Sequence, residues 1–362
     1  MIAVALIACI TGLWNDYAHD DVSLIADNVR AHGITSWGAI FASPYWPPPF
    51  APELYRPIVS AMMLVEYVFG AGAPMAFRIV SSVLYAASAV AVFAFAARVM
   101  SRHAALAIAL LFAAHPVHVE AVALGVNQAE LVVGLLAAVM TLRYVDIRRT
   151  RALTGKDWMI FCALYALAAL AKENGFVIPA LLVSAEVFLV NDEPLRKRAA
   201  KSWPGFAAMA AVGVALLLIR RAVLHDAIGT FTAEALVGAT WRERLLTTLQ
   251  IVPQWLRLLA WPAHLQIDYS PNEIVASKAF GPIEALGLAL VLGAVAVVIA
   301  ARRRAPAVSF GLAWCGVALL PVANVVVPTS IVLAERTLFL PSVGFLIAVG
   351  GAPEWVLCAP RL

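Results

Sequence analysis

Two adjacent carboxylates open the first polar stretch of the chain. Asp20 and Asp21 lie in WNDYAHDDVSLIADN, which directly follows the apolar residues 1–14. Adjacent carboxylates repel each other, and beside a low-dielectric bilayer this repulsion favours one of them as a proton acceptor near neutral pH. The pair therefore predicts a general base. A solvated acidic loop, or a cap for the helix that follows, explains the same residues equally well.

A second polar segment, HPVHVEAVALGVNQAEL, separates two apolar runs. It contains His115, His118 and Glu120. An ionisable residue at the centre of a bilayer costs about 2.5–3.5 kcal/mol on insertion scales, so we expect these side chains to face a cavity or the aqueous surface. Their spacing permits a divalent metal site. Pro116 and the lack of a third firm ligand favour packing or substrate hydrogen bonding instead.

Charged residues occupy three further breaks between apolar runs. They are Lys172 and Glu173 in AKENG, Arg220 and Arg221 after one run, and Glu335 and Arg336 in LAERTLFLPSVGF. Arginine and lysine side chains at a membrane surface are suited to hold a phosphate group. A turn, a snorkelling arginine or a salt bridge is the alternative explanation of each break. The cations nevertheless predict a site for an anionic ligand.

The composition of the chain indicates that these motifs lie in or beside a lipid bilayer. Hydrophobic residues make up 63% of the 362 residues and charged residues only 13%, which is far more apolar than a soluble domain requires. The net charge of +4 resides in short basic clusters between apolar runs, and we find no nucleic-acid motif. The four cysteines have no metal-like spacing. An all-α polytopic membrane protein in a lipid bilayer is therefore predicted.

Apolar runs predict about ten membrane spans. They lie near residues 1–14, 76–97, 104–122, 129–145, 158–171, 174–190, 203–221, 283–300, 307–323 and 337–352. Two further runs, 57–70 and 245–265, are short or interrupted by charge and proline, so they read as helices at the membrane interface.

Charge asymmetry sets the predicted orientation. With the N-terminus in the cytoplasm, the loops 98–103, 142–157, 191–202 and 301–305 carry fourteen lysines and arginines and lie inside. The long segments 15–75 and 222–282 then lie outside, together with all the polar motifs above. One transmembrane domain, residues 1–362, is expected, with one active face on the outer side.

The ordered motifs resemble a known family. HDD, YRP (Tyr55, Arg56 and Pro57), HPVHVEAV, AKENG, LAWPAHLQIDYS and AERTLFLPSVGF are similar to segments of bacterial relatives of the transmembrane and tetratricopeptide-repeat O-mannosyltransferases. These belong to the GT-C glycosyltransferase superfamily. The resemblance covers about residues 14–346.

The resemblance implies an inverting transfer of a sugar, usually mannose, from a polyprenyl-phosphate donor to a protein or glycan acceptor. It implies Asp20 as the catalytic base, with Asp21 beside it, on the periplasmic side of a bacterial inner membrane. Binding of the donor and its phosphate is then expected from a larger set of polar residues. These are Arg56, His115, His118, Glu120, Lys172, Glu173, Arg220, Arg221, Glu335 and Arg336.

The chain departs from the family pattern at three places. Val119 replaces a usual threonine, Gln128 replaces a usual arginine, and the chain stops at GAPEWVLCAPRL without the repeat domain, so we expect a C-terminally truncated chain. Two alternatives from other classes stay open. A transporter or flippase of lipid-linked sugars also places polar groups among many helices, but usually near the midplane and in repeated halves. A non-catalytic membrane scaffold is the other.

Overall fold

The protein is helical throughout the part that the structure describes. This computed structural model describes residues 1–190, 193–226, 232–269 and 273–357. The α-helices are α1 (Ile2–Ile10), α2 (Trp37–Ala42), α3 (Pro57–Phe69), α4 (Pro74–Val99), α5 (Arg102–Ala113), α6 (Val119–Ala123), α7 (Gln128–Thr150), α8 (Gly155–Ala171), α9 (Ile178–Leu189), α10 (Leu195–Leu224), α11 (Trp241–Ala260), α12 (Pro282–Ala301), α13 (Pro306–Leu319) and α14 (Phe339–Leu357). Within these ranges no strand occurs. The predicted all-α class is confirmed.

Within the described residues, four helices are long and apolar enough to cross a membrane. They are α4, α10, α12 and the stretch Glu335–Pro353 that contains most of α14. A fifth crossing is formed if α5 and Pro116–Ala123, bent by 48° against each other, act as one broken span. Several other apolar helices are short, as α9 is with 12 residues, against about 20 for a full crossing. A multi-pass membrane protein is therefore supported, but the count of about ten spans is not confirmed.

Helix α7 lies at the centre of the bundle. It packs against α4, α8 and α9 and buries Gln128, Glu130 and Arg148 together with its apolar residues. Polar side chains are tolerated here because neighbouring helices, rather than lipid, surround them. Nearby, α13 and α14 approach closely, since a methyl group added at Gly311 would lie 2.5 Å from the carbonyl oxygen of Gly344.

Helix α12 shows the opposite distribution. Only Glu284, Gly287 and Ala301 of this helix are buried. Its exposed apolar side chains are Ile283, Leu286, Leu288, Val291, Leu292, Val295 and Ile299. A helix that is apolar on all sides and exposed in the isolated chain is typical of a lipid-facing span.

The two apolar runs predicted to lie at the interface both form helices. The first is α3, which buries Val59, Met63 and Glu66. The second begins earlier than predicted, as α11, and buries one face that includes Ile251 and Trp255. Their depth relative to the lipid stays a prediction.

A buried ionic cluster braces one end of the bundle. The carboxylate of Glu186 on α9 accepts hydrogen bonds from Tyr144 Oη at 2.7 Å and from Arg148 Nε at 3.1 Å, and it lies 3.3 Å from Arg198 Nη1 on α10. The side chains of Arg148, Glu186 and Arg198 are each 5% exposed. We call Tyr144, Arg148, Glu186 and Arg198 the Glu186 cluster. It ties α7, α9 and α10 together.

Candidate active site

The acidic pair is divided between two environments. Asp21 is completely buried, and its carboxylate accepts the backbone N–H groups of Gly125 and Val126, each at 3.0 Å, while Arg78 Nη2 lies 3.0 Å away. Glycine at position 125 permits this close approach, because a Cβ atom there would lie only 3.0 Å from the Ile25 side chain. Asp21 therefore fixes the acidic segment to the polar loop before α7.

Asp20 faces outward from that anchor. Its side chain is 33% exposed and contacts His19 Nδ1 at 2.9 Å. His19 itself has a φ of +53°, a left-handed conformation that non-glycine residues seldom adopt and that often marks functional sites. Of the two carboxylates, Asp20 is thus the one with room for an acceptor hydroxyl group.

A carboxylate held between two arginines forms the next part of the site. Glu173 lies 2.7 Å from Arg56 Nη2 and 2.8 Å from Arg220 Nη1. Burial alone would raise the pKa of Glu173, but Arg56 and Arg220 together lower it to about 2. Arg56 is placed here because it immediately precedes Pro57, which starts α3 at its first position. Arg220 lies near the C-terminal end of α10 and also donates to the Glu53 carbonyl at 3.0 Å.

Lys172 ends α8 and is paired with a buried acid. Its Nζ lies 2.7 Å from Glu130 Oε1, and Asn174 Nδ2 donates to the other oxygen of the same carboxylate at 3.1 Å. Glu130 is fully buried in the first turn of α7. The AKENG segment is therefore more than a turn, since three of its side chains join the ionic network.

Glu335 and Arg336 have separate partners. Arg336 forms an ion pair with Glu120, and its backbone N–H donates to the same carboxylate at 2.8 Å. Glu335 accepts from Tyr269 Oη at 2.7 Å and from the backbone N–H of Gln266. These contacts join the segment before α14 to the segment that contains Glu120 and to the segment that follows α11.

The two histidines position neighbouring segments. His118 is buried against Tyr85 Oη at 3.0 Å, Ser342 Oγ at 2.8 Å and the Phe112 carbonyl at 3.1 Å. His115 Nε2 contacts the Leu259 carbonyl at 3.0 Å, at the end of α11. In the described part of the chain, no three His, Cys, Asp or Glu side chains are grouped so that they could hold a metal ion.

Electrostatic influence links these pairs into one cluster. Burial lowers the pKa of Lys172; Glu130 opposes this shift, whereas Arg56 and Arg336 add to it. Because charge interactions decline with distance, this mutual influence groups the three cations into one electrostatic neighbourhood. We call Arg56, Lys172, Glu173, Arg220 and Arg336, with their partners Glu120 and Glu130, the Glu173 cluster.

Three of the residues singled out from the sequence lie apart from this cluster. Arg221 is exposed, one position beyond Arg220. Val119 is 56% exposed, so its side chain points to the surface. Gln128 is buried and donates to Glu66 at 2.8 Å, so its amide is engaged by a residue outside the Glu173 cluster.

Sequence reasoning missed several residues of the site. Arg78 and the N–H groups of Gly125 and Val126 hold Asp21, and Glu130 holds Lys172. A buried tyrosine, Tyr45, stacks on Arg56, whose guanidinium carbon lies 5.2 Å from the ring centroid. An arginine and a glutamate inside apolar helices are detectable signals, because each requires a partner of opposite charge. Tyr45 gives no comparable signal in the sequence, because an uncharged side chain does not require a partner of opposite charge.

Comparisons with known proteins identify a family that part of the chain matches. Residues 57–221 match the model of the dolichyl-phosphate-mannose-protein mannosyltransferase family. The matched segment contains Glu120, Glu130, Lys172, Glu173 and Arg220, but neither Asp20 nor Arg336.

Two curated relatives extend the similarity over most of the chain. The protein O-mannosyl-transferase TMTC3 of Mus musculus is 25% identical over 93% of this chain and 40% of its own length. The protein O-mannosyl-transferase TMTC4 of Homo sapiens is 23% identical over 95% of this chain and 53% of its own length. The chain thus spans about half the length of these relatives or less. No solved structure matches. The chain is thus similar to named protein O-mannosyl-transferases over most of its length.

Proposed function

We propose that the protein is a membrane glycosyltransferase that moves a mannose-like hexose from a polyprenyl-phosphate donor to a hydroxyl group of a protein or glycan. The observation that carries this proposal is the partly exposed carboxylate of Asp20, which acts on the same tyrosine, Tyr45, as Arg56 and Glu173 of the cation-rich Glu173 cluster. Its curated relatives are named protein O-mannosyl-transferases, which agrees with this chemistry.

In the proposed reaction Asp20 takes the proton of the acceptor hydroxyl. The hydroxyl oxygen forms a bond to the anomeric carbon, and the bond from that carbon to the phosphate oxygen breaks, with inversion. The electron pair leaves with the lipid phosphate. A positioned general base contributes typically 10²- to 10⁴-fold to such a step. Asp21 acts as a positioning residue, because its carboxylate is already used in hydrogen bonds to Gly125 and Val126.

The Glu173 cluster would receive the phosphate. Its ion pairs contain four cations, Arg56, Lys172, Arg220 and Arg336, against the three carboxylates of Glu120, Glu130 and Glu173. One positive charge is therefore in excess within these pairs. The carboxylates hold the cations in place, and the excess charge favours a dianionic leaving group as it develops. Glu335, His115 and His118 keep the surrounding segments in register.

The proposed location is a bacterial inner membrane, with the Glu173 cluster at the periplasmic surface. Arg198 and Arg220 lie at opposite ends of α10, roughly 33 Å apart along the helix axis. This separation supports opposite membrane surfaces for the Glu173 and Glu186 clusters, and the basic residues of 142–157 and 193–202 belong to the Glu186 end.

The full chain reconstituted in liposomes tests this function. Polyprenyl-phosphate mannose, labelled in the sugar, is supplied with membrane proteins and glycans as acceptors. We expect the label to move from the lipid extract into the protein or glycan fraction, and not to move in empty liposomes. Label that crosses the bilayer but stays on the lipid would contradict transfer and indicate a flippase. Mass spectrometry of cells with and without the gene then identifies the sugar and the acceptor.

A further inference from the structure

Tyr45 is fixed in the segment between α2 and α3. Its side chain is 4% exposed, and its backbone N–H donates to the Leu54 carbonyl at 2.6 Å. The Arg56 guanidinium covers one face of the ring, 5.2 Å from the centroid, and the Trp46 ring packs edge-on at 6.2 Å. The ring is therefore held in place without help from its hydroxyl group.

The hydroxyl group of Tyr45 is buried and has no hydrogen-bond partner within the described part of the chain. Other buried tyrosines differ: Tyr55 Oη donates to the Phe41 carbonyl at 2.9 Å and Tyr85 Oη to the Phe112 carbonyl at 2.7 Å. A buried polar group without a partner destabilises the fold, so native proteins seldom retain one without a reason such as ligand binding.

The unpaired hydroxyl lies within the proposed active site. Burial raises the pKa of Tyr45, and the charges of Arg56, Asp20, Asp21 and Glu173 all act on it. The group is thus protonated at neutral pH and can donate. Its ring packs against Arg56, one of the two arginines that flank Glu173, and the charge of the proposed base Asp20 acts on it.

We propose that the Tyr45 hydroxyl donates a hydrogen bond to the phosphate oxygen of the lipid-linked donor that becomes the leaving oxygen. This inference rests on the proposed function. As the bond from the anomeric carbon to that oxygen breaks, the electron pair moves onto the oxygen and the hydrogen bond strengthens. The proton stays on Tyr45, and Asp20 receives the acceptor proton. The contribution therefore falls mainly on kcat rather than on donor binding.

A bound water is the alternative partner. A small cavity of about 20 Å³ borders Tyr45 and is also lined by Asn28, Arg30 and Ser60, which is enough for about one water molecule. If the Tyr45 hydroxyl donates to a buried structural water instead, it stabilises the fold and does not contribute to sugar transfer. The two possibilities predict opposite results for a variant that removes only the oxygen.

Tyr45→Phe is that variant, because it keeps the ring and its contact with Arg56. We expect kcat for transfer from polyprenyl-phosphate mannose to fall on the order of 100-fold, as for one donor to a developing oxyanion. KM for the donor should change less than about threefold, and the melting temperature in detergent should be unchanged or higher. A fall in kcat smaller than about tenfold, or a lower melting temperature with unchanged kcat, would overturn the inference.

Tyr55→Phe provides the matched control. Tyr55 is in the same segment and equally buried at 7% exposure, but its hydroxyl has a protein partner. We expect the reverse pattern, a lower melting temperature with kcat of the folded protein retained. If both variants lose kcat equally, a local packing effect replaces the proposed hydrogen bond. If the wild-type chain transfers no sugar, the proposed function itself fails, which is distinguishable from an active wild type and an equally active Tyr45→Phe.

Discussion

Two glutamates in this protein are each held between two arginines, at opposite ends of the same helices. Glu186 lies between Arg148 and Arg198, and its side chain is 5% exposed. Glu173 lies between Arg56 and Arg220, and its side chain is 30% exposed. The same charge arrangement is thus buried at the Glu186 end, which we call the sealed cluster, and accessible to the surface at the Glu173 end, which we call the open cluster. Access to the surface, rather than the charges themselves, distinguishes a structural brace from a candidate binding site.

The largest expected effect concerns the sealed cluster. Glu186→Ala removes the carboxylate shared by two buried guanidinium groups, and breaking a buried pair costs about 3–5 kcal/mol. We expect a large fall in the melting temperature in detergent, with the transfer rate per folded molecule retained. Glu193→Ala is the control, because Glu193 is 34% exposed and pairs with Lys201 at 2.7 Å; its loss should cost about 1 kcal/mol or less. Equal losses in the two variants would contradict the brace.

A smaller effect is expected at the open cluster. Arg220→Ala removes one guanidinium that flanks Glu173, and a hydrogen bond to a charged group is worth about 1.5–3 kcal/mol. Donor affinity, measured by the binding of a fluorescent polyprenyl phosphate to the detergent-solubilised protein, should therefore weaken about tenfold or more. Unchanged affinity in a folded Arg220→Ala protein would remove this arginine from the phosphate site.

The pH dependence of the open cluster follows from the pKa of Glu173, which its two arginines lower to about 2. A carboxylate with a lowered pKa stabilises the folded state above the pKa of the unfolded chain, about 4.3, and this stabilisation is lost as the pH falls toward the folded value. The difference in melting temperature between wild type and Glu173→Gln should thus be constant from pH 8 to about 5.5 and shrink below it. A difference that already shrinks between pH 8 and 6 would contradict the arginine pairing.

The smallest effect is expected one residue beyond Arg220. Arg221 is exposed, so Arg221→Ala should change donor affinity by less than about twofold, in keeping with the small energies of exposed charges. The same fluorescence assay measures it. A tenfold loss in this variant would shift the phosphate site toward the surface and away from Glu173.

The sequence was sufficient for the class of fold and for the gathering of charge at one end. The length of the apolar runs predicted helices at every run, and the AKENG and LAERT motifs do interact, because the charge of Arg336 acts on Lys172. These results follow from local rules, because polar groups in an apolar chain must find one another or water.

The individual ion pairs could not be predicted from the sequence. A single sequence does not indicate that Lys172 pairs with Glu130, or that Arg336 pairs with Glu120 rather than with its neighbour Glu335. These choices depend on how helices from distant parts of the chain cross. The span count is not confirmed for a related reason: short helices such as α9 and α13 pack against neighbouring helices, so helix length alone does not decide whether a segment crosses the membrane.

The most direct test of the central claim is the single-turnover transfer rate of Asp20→Asn with donor bound. Asp27→Asn serves as the control, since Asp27 is an exposed carboxylate in the same segment. We predict a rate at least about 100-fold lower for Asp20→Asn, with donor affinity and melting temperature close to wild type, and an unchanged rate for Asp27→Asn. A folded Asp20→Asn protein that transfers sugar at the wild-type rate would contradict Asp20 as the base.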